Sequence, residues 1–334
     1  MDGFMKEMVW VGEQFSSPED FKAWEIENQH RILSPSRISS ISSCPRKYQH
    51  QYRDFIRKKE TPNYMSAGGL IHTGVDHWYV TKDIEGAIEA MRAVDYPDAG
   101  ADADHLQAPA LEIVVRNYAD HWTQHDAYDP LTVTFDEMNL DSVLAARWRT
   151  TDDGKIILAE SPFMMIVPNP HGEDLIVTGI PDLPVIDYGG TRYILDHKST
   201  QGYISSFWKS KYSISDQFRT YCVMESQLLG VTFAGTVLDA IYMGKYATST
   251  TSKAVKFDRD PYNFDETMLD ETIQNMNSWV NRIADFTRED YFPQSTGMYC
   301  GGCFFKDICK EPVWAREVPL DSERGTARSI LDPR

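Results

Sequence analysis

An Asp-x-Lys triplet, Asp196-His197-Lys198, closes an apolar run (Tyr193-Ile194-Leu195), and Pro181-Asp182 precedes it across a Gly189-Gly190 turn. Two adjacent strands can hold both carboxylates within reach of one hard cation. Mg²⁺ takes oxygen ligands in near-octahedral geometry and keeps several waters. A divalent ion stabilises charge on a phosphoryl oxygen and generates hydroxide from water. Lys198 lies two residues after Asp196, so both point to one sheet face, where an ammonium can sit beside the attacking water or the developing charge. Asp-x-Lys by itself recurs by chance; ending an apolar strand, fourteen residues after Pro-Asp across a hairpin, it points to a cation site, with an exposed strand-end charge pair as the alternative.

A second pattern is the cysteines. Cys44 stands alone near the N-terminus, while Cys300, Cys303 and Cys309 form a C-x2-C-x5-C run. A short C-x2-C loop turns both sulfurs toward one centre, which favours a metal or an iron–sulfur cluster over a disulfide. Cys222 lies in an apolar helical stretch and reads as a small buried hydrophobe. Gln217 and Tyr221 share a helix face by their spacing and could hold a phosphate, a base or the lysine. His72 sits among Gly68, Gly69 and Gly74, where backbone can approach closely; it could complete a Mg²⁺ or Mn²⁺ site or be structural. Glu160 is a further carboxylate candidate or an ordinary strand-end acid.

The chain of 334 residues, 42% hydrophobic and 12% aromatic, allows two domains or one large domain with insertions. No stretch reaches the roughly 20 apolar residues of a membrane helix. The acidic N-terminus is unlike a signal peptide, so a cytoplasmic protein is expected, with reduced cysteines. A net charge of −17 argues against indiscriminate coating of nucleic acid. Residues 44 to 60 nonetheless carry Arg46, Lys47, Arg53, Arg57, Lys58 and Lys59 against Asp54 and Glu60, either a basic track or a solvated helix face.

The elements that must position these residues follow from periodicity. Residues 1–33 read as an acidic, partly helical extension. Residues 34–130 read as a helical part: a helix over about 37–58 carrying Cys44, a second with Leu70, Ile71, Val75, Trp78 and Tyr79 carrying His72, a polar loop from Tyr96 to Pro109, and a third over 110–125. Residues 131–264 switch to strand patterning at 131–138, 155–167, 174–187, 191–197 and 231–243, with turns at Asp152-Asp153-Gly154 and Tyr188-Gly189-Gly190. Ser215 caps a helix over about 216–229 that Gly230 ends. Residues 265–312 hold a long amphipathic helix and the cysteine loop, and 313–334 form a tail. This order implies an α/β or α+β core with a mostly antiparallel sheet and helical flanks.

Taken together, five ordered motifs resemble the RecB-like branch of the PD-(D/E)XK nuclease superfamily. They are Cys44-Pro45-Arg46-Lys47-Tyr48, Gly69-Leu70-Ile71-His72, Gly179-Ile180-Pro181-Asp182, Asp196-His197-Lys198 and Gln217-Phe218-Arg219-Thr220-Tyr221. The cysteine set is similar to that of the AddB nuclease domain and the CRISPR-adaptation exonucleases. The resemblance implies a restriction-endonuclease-like α/β core, a central mixed sheet flanked by helices, with a helical N-terminal insertion and a cluster-binding C-terminal loop. It implies Asp182 and Asp196 as ligands of Mg²⁺ or Mn²⁺, helped by His72 and the His197 carbonyl, with Lys198 stabilising charge or positioning water. Gln217 and Tyr221 would organise the site, and Cys44, Cys300, Cys303 and Cys309 would ligate a structural 4Fe–4S cluster, with Zn²⁺ the alternative. Many members carry Glu where Asp196 stands; the family tolerates both.

The expected activity is a metal-dependent DNA exonuclease acting on single-stranded or frayed ends, in DNA repair, recombination or a phage setting. Tyr48, Tyr52, Phe207 and Trp208 could guide a strand by stacking. The alternative is a weakly catalytic or non-catalytic DNA-end-binding module of a recombination complex. No G-x-x-x-x-G-K-[ST] motif is present, so any helicase partner would be a separate chain. Ring-forming relatives make a homo-oligomer a further expectation.

Overall fold

A computed structural model describes residues 7–10, 17–58, 63–96, 101–133, 149–151, 154–160, 162–169, 172–311 and 322–324. The expected Asp152-Asp153 turn, the strand positions 134–138, Lys59, Glu60 and most of the tail lie outside the described residues.

The strands in chain order are β1 (Glu7–Trp10), β2 (Ile32–Leu33), β3 (Ile56–Lys58), β4 (Tyr128–Pro130), β5 (Thr132–Val133), β6 (Arg149–Thr150) and β7 (Ile156–Ile157). They continue with β8 (Phe163–Val167), β9 (Leu175–Gly179), β10 (Leu183–Asp187), β11 (Arg192–Thr200), β12 (Gly235–Tyr242), β13 (Phe257–Asn263) and β14 (Ser322–Arg324). The helices are α1 (Pro18–Asn28), α2 (Pro35–Ser43), α3 (Pro45–Tyr48), α4 (Asn63–Thr81), α5 (Ile84–Arg92), α6 (Ala108–His125), α7 (Ser206–Ser210), α8 (Asp216–Leu229), α9 (Glu266–Arg288) and α10 (Lys306–Lys310).

A five-stranded sheet in the order β13-β12-β11-β10-β4 forms the centre. Its β11–β12 pair is parallel and the other pairs are antiparallel. The parallel pair needs a crossover, which α8 supplies. The sheet is therefore mixed and, with three of its four pairs antiparallel, mostly antiparallel as strand patterning suggested. A second sheet, β1-β8-β9-β2, is also mixed.

Both faces of β11 are covered, and its side chains alternate between two cores. Ile194 packs with Ile41, Val177, Phe218, Leu238 and Val280, on the side of α2, α8 and α9. Leu195 packs with Ile71, Val75, Tyr79, Val115 and Ile241, on the side of α4, α5 and α6. Asp196 and Lys198 keep the parity of Ile194, whereas His197 keeps that of Leu195. Alternation thus sends Asp196 and Lys198 to one face and His197 to the other.

Three local expectations change. The helix expected over 37–58 breaks at Cys44 (φ −164°, ψ 109°), because Pro45 has no amide to continue it and disfavours helical backbone in the residue before it. A π-turn at Gln49–Arg53 and strand β3 follow. The strand expected over 174–187 is two strands, β9 and β10, with Asp182 in the link just before β10. The loop before Pro109 contains a 3-10 turn, Ala101–Leu106. Elsewhere local chemistry acts as read: the Ser215 hydroxyl accepts from Phe218 N at the start of α8, and Gly230 ends it with φ 62°.

Candidate active site

Asp182 and Asp196 come together across the β10–β11 hairpin. Its register sets Leu183 opposite Leu195, so Asp182 lies beyond the paired region, near the residues that follow Asp196. The His197 amide donates to Asp182 Oδ2 at 2.8 Å, fixing that carboxylate on the β11 backbone. Asp182 is 1% exposed and Asp196 0%. Burial pushes the Asp196 pKa up to about 6, with Lys198 opposing the shift and the Asp182 charge adding to it. Asp196 and the Lys198 ammonium form an ion pair. Burial works against charge on Lys198, but Asp196 and Asp182 outweigh it and hold its pKa above the usual lysine value.

Two helices complete the surroundings. On α8, Gln217 Nε2 donates to the Tyr221 hydroxyl at 3.0 Å, as their spacing requires. Tyr221 is buried and meets Phe163 edge-to-face. Gly179 makes room for both rings: a Cβ there would stand 2.7 Å from Phe163 Cζ and 2.9 Å from Tyr221 Cε1. On α4, His72 brings Nδ1 to 3.8 Å from Asp182 Oδ2. Glu160 is in a turn with φ 47°, and its amide donates to the Asp182 carbonyl at 2.8 Å. The contact places the Glu160 backbone against the site.

The His197 side chain, on the opposite face, enters a buried charge network that sequence reading missed. Its Nδ1 lies 2.6 Å from Asp239 Oδ2 and its Nε2 lies 3.3 Å from Asp76 Oδ1. Asp239 also accepts from the Tyr118 hydroxyl at 2.6 Å and from Arg259 Nε at 2.9 Å. Arg259 donates onward to Asp126 and lies 3.8 Å from the centre of the Trp122 ring. Burial alone would raise the Asp239 pKa; the Arg259 and His197 charges and their hydrogen bonds instead hold it well below the carboxylate range. A usable signal existed: Asp239 interrupts the apolar run of β12, and a buried acid demands a partner.

A model of the PD-(D/E)XK nuclease superfamily matches residues 32–310. The chain belongs to this superfamily. Its mixed α/β fold, with helices on a central mixed sheet, is the restriction-endonuclease-like fold. Membership carries metal-dependent phosphodiester hydrolysis. No curated protein matches the chain. The solved structure described as "Crystal structure of SSO0001" aligns over 89% of this chain and 97% of that one, at 13% identity and a TM-score of 0.32.

Within this PD-(D/E)XK chain, no group of three or more His, Cys, Asp or Glu side chains among the described residues is placed to hold a metal ion. Mg²⁺, however, is commonly held by one or two carboxylates plus waters. Asp182 and Asp196 fit that role: two buried carboxylates, each raising the cost of the other's charge, are a donor set that a dication relieves. Among the described residues, the four cysteine thiols do not gather into a group of three or more. Their chain segments are neighbours, since Arg46 N and Nε donate to the Pro293 and Phe292 carbonyls at 3.1 and 2.7 Å. Cys309 Sγ lies 3.9 Å from His50 Nε2, a second contact between the two segments.

Two members of the expected basic track have partners in the fold. Arg46 is spent on the Phe292 carbonyl, and Arg53 pairs with Asp290 at 2.6 Å. Tyr48 is 5% exposed, stacks on Phe292 and meets Tyr52 at a tilt, so it is part of the core rather than a strand guide. Cys222 is buried as expected, with its thiol pKa pushed up to about 12 by burial. Among the described residues, no helix is long and apolar enough to cross a membrane.

Proposed function

We propose that the chain is a Mg²⁺- or Mn²⁺-dependent deoxyribonuclease of the RecB-like type, an exonuclease on single-stranded or frayed DNA ends. The observation that carries the reading is the joint burial of Asp182 and Asp196 with Lys198 paired beside them. Asp182 and Asp196 would hold the cation, with His72 and the His197 carbonyl adjoining. When bound, the ion supplies charge stabilisation and a more acidic water. Lys198, held protonated by the two carboxylates, serves as a cation rather than a base and sits where phosphoryl charge develops. The hydrogen-bonded Gln217–Tyr221 pair would form a polar wall beside Lys198.

The test is linear single-stranded DNA labelled at the 5′ or the 3′ end, incubated with Mn²⁺ or with EDTA. Progressive shortening with Mn²⁺, lost in Lys198→Ala and Asp182→Ala while circular dichroism stays unchanged, is the expected result. Full-length DNA after incubation would instead fit the end-binding module.

For the cysteines the proposal is a structural 4Fe–4S cluster on Cys44, Cys300, Cys303 and Cys309, with Zn²⁺ as the alternative. Its support is the C-x2-C-x5-C motif and the stitching of the Cys44 segment to residues 292–293. A repair or recombination setting, a helicase partner, self-assembly and a cytoplasmic location complete the reading.

A further inference from the structure

The connections leaving the C-terminal ends of β11 and β12 share a charge pattern. After Asp196 the next acid is Asp216; between them lie Lys198, Lys209 and Lys211. After Asp239 the next acid is Asp258; between them lie Lys245, Lys253 and Lys256. A chain with net charge −17 therefore places two acid-free, lysine-bearing segments at the ends of its two parallel neighbours, beside the candidate site. The segments touch: Met243 N donates to the Thr200 carbonyl at 2.8 Å, and a Cβ on Gly244 would stand 2.3 Å from the Gln201 carbonyl. Lys256 Nζ donates to the Ser249 carbonyl at 2.5 Å and Lys209 pairs with Asp258 and Asp260, so these two lysines are structural. Lys211, Lys245 and Lys253 make no ion pair among the described residues.

Between the segments lies a cleft of about 350 Å³, lined by Tyr203, Tyr246, Ser249, Thr251 and Lys253. That volume is in the range of small-ligand sites. Tyr203 stacks on buried Tyr242 (5.9 Å, 15°) yet remains 62% exposed, and Tyr246 is 43% exposed. A ring backed on one side and wet on the other is a platform for a flat aromatic ligand. Lys253 and the Ser249 and Thr251 hydroxyls supply what a phosphate needs. In a duplex the bases are stacked inside and offer no free face; an unpaired base does.

We propose that this cleft is a subsite for one unpaired nucleotide of a single-stranded substrate, its base against Tyr203 and Tyr246 and its phosphate toward Lys253. The proposal deepens the nuclease reading and rests on it for the choice of nucleic acid. It does not require cleavage.

The test measures binding alone. A short fluorescein-labelled oligothymidylate is titrated in EDTA and followed by anisotropy across a salt series. Tyr203→Ala weakens binding about tenfold, the loss expected for one stacked base, and Tyr203→Phe restores it. Lys253→Gln lowers the salt slope by about 0.7, one single-strand phosphate contact. A blunt duplex of equal length is affected less than twofold. Wild-type affinity in both Tyr203→Ala and Lys253→Gln, or an equal loss for the duplex, overturns the subsite. If wild-type protein binds the oligonucleotide in this manner but fails to shorten DNA with Mn²⁺, the hydrolytic reading falls and the subsite stands.

Discussion

Asp239→Asn is the sharpest probe of how this fold holds its site. Asp239 is fully buried and takes three close contacts: His197 Nδ1 at 2.6 Å, Tyr118 Oη at 2.6 Å and Arg259 Nε at 2.9 Å. Asparagine keeps the shape but loses the charge and turns an amide N–H₂ toward groups that donate. Breaking a buried charge pair by removing one partner costs about 3–5 kcal/mol. Here Arg259 keeps Asp126 and His197 keeps Asp76, so the lower end, about 3 kcal/mol, is expected. Urea unfolding at neutral pH measures it. The pH dependence gives a second handle. The folded-state pKa of Asp239 lies below its unfolded value, so its contribution is present above the unfolded pKa of about 3.9 and is lost as pH falls through the folded value. The gap between variant and wild type is therefore level through neutral pH and closes only in acid. A loss under about 1 kcal/mol, or a gap that widens in acid, would refute the claim that this network is a held ion cluster.

Three further outcomes follow from the same geometry. Glu225 is buried, forms no hydrogen bond among the described residues, and has its pKa pushed up to about 8 by burial. An acid whose folded pKa is raised loses stability as pH climbs from its unfolded value toward that figure, so Glu225→Gln raises the unfolding free energy little near pH 4 and clearly near pH 8, by at most about 5 kcal/mol in urea unfolding; a pH-independent difference contradicts the assignment. Gly235→Ala sets a Cβ 1.8 Å from the Tyr262 carbonyl, so β13 must shift; a loss of about 1–3 kcal/mol in chemical denaturation is expected, and an unchanged midpoint would mean that the two strands are not in this register. Purified protein is expected to be brown with bound iron, and Cys309→Ser to lose both colour and iron; a colourless protein with stoichiometric zinc would select the alternative metal.

The parts legible in the sequence are those set by local chemistry. The Ser215 cap, the Gly230 terminus and the Gln217–Tyr221 spacing depend on a few contiguous residues. So does the hairpin turn, where Asp187 accepts from the Gly189 and Thr191 amides. What escaped depends on register between distant segments. Nothing in the run around Arg46 announces that its guanidinium belongs to the Phe292 carbonyl, so a tied helix reads as a basic track. The parallel β11–β12 pair was hidden because both strands are buried on both faces and their apolar runs carry no direction.

His197 shows why the two kinds of information must meet. Read along the chain it is the variable position of Asp-x-Lys, of interest for its carbonyl alone. In the fold, strand alternation drives its imidazole away from Asp196 and Lys198, into the core under α4 and α6, between the carboxylates of Asp76 and Asp239. Its amide meanwhile binds Asp182. One residue thus joins the two faces of β11: its side chain is clamped by charges on one side, and its backbone holds a candidate metal carboxylate in place. Since the β11 backbone cannot move without breaking that clamp, the spacing between Asp182 and Asp196 is set from the face opposite to the one where the chemistry would occur.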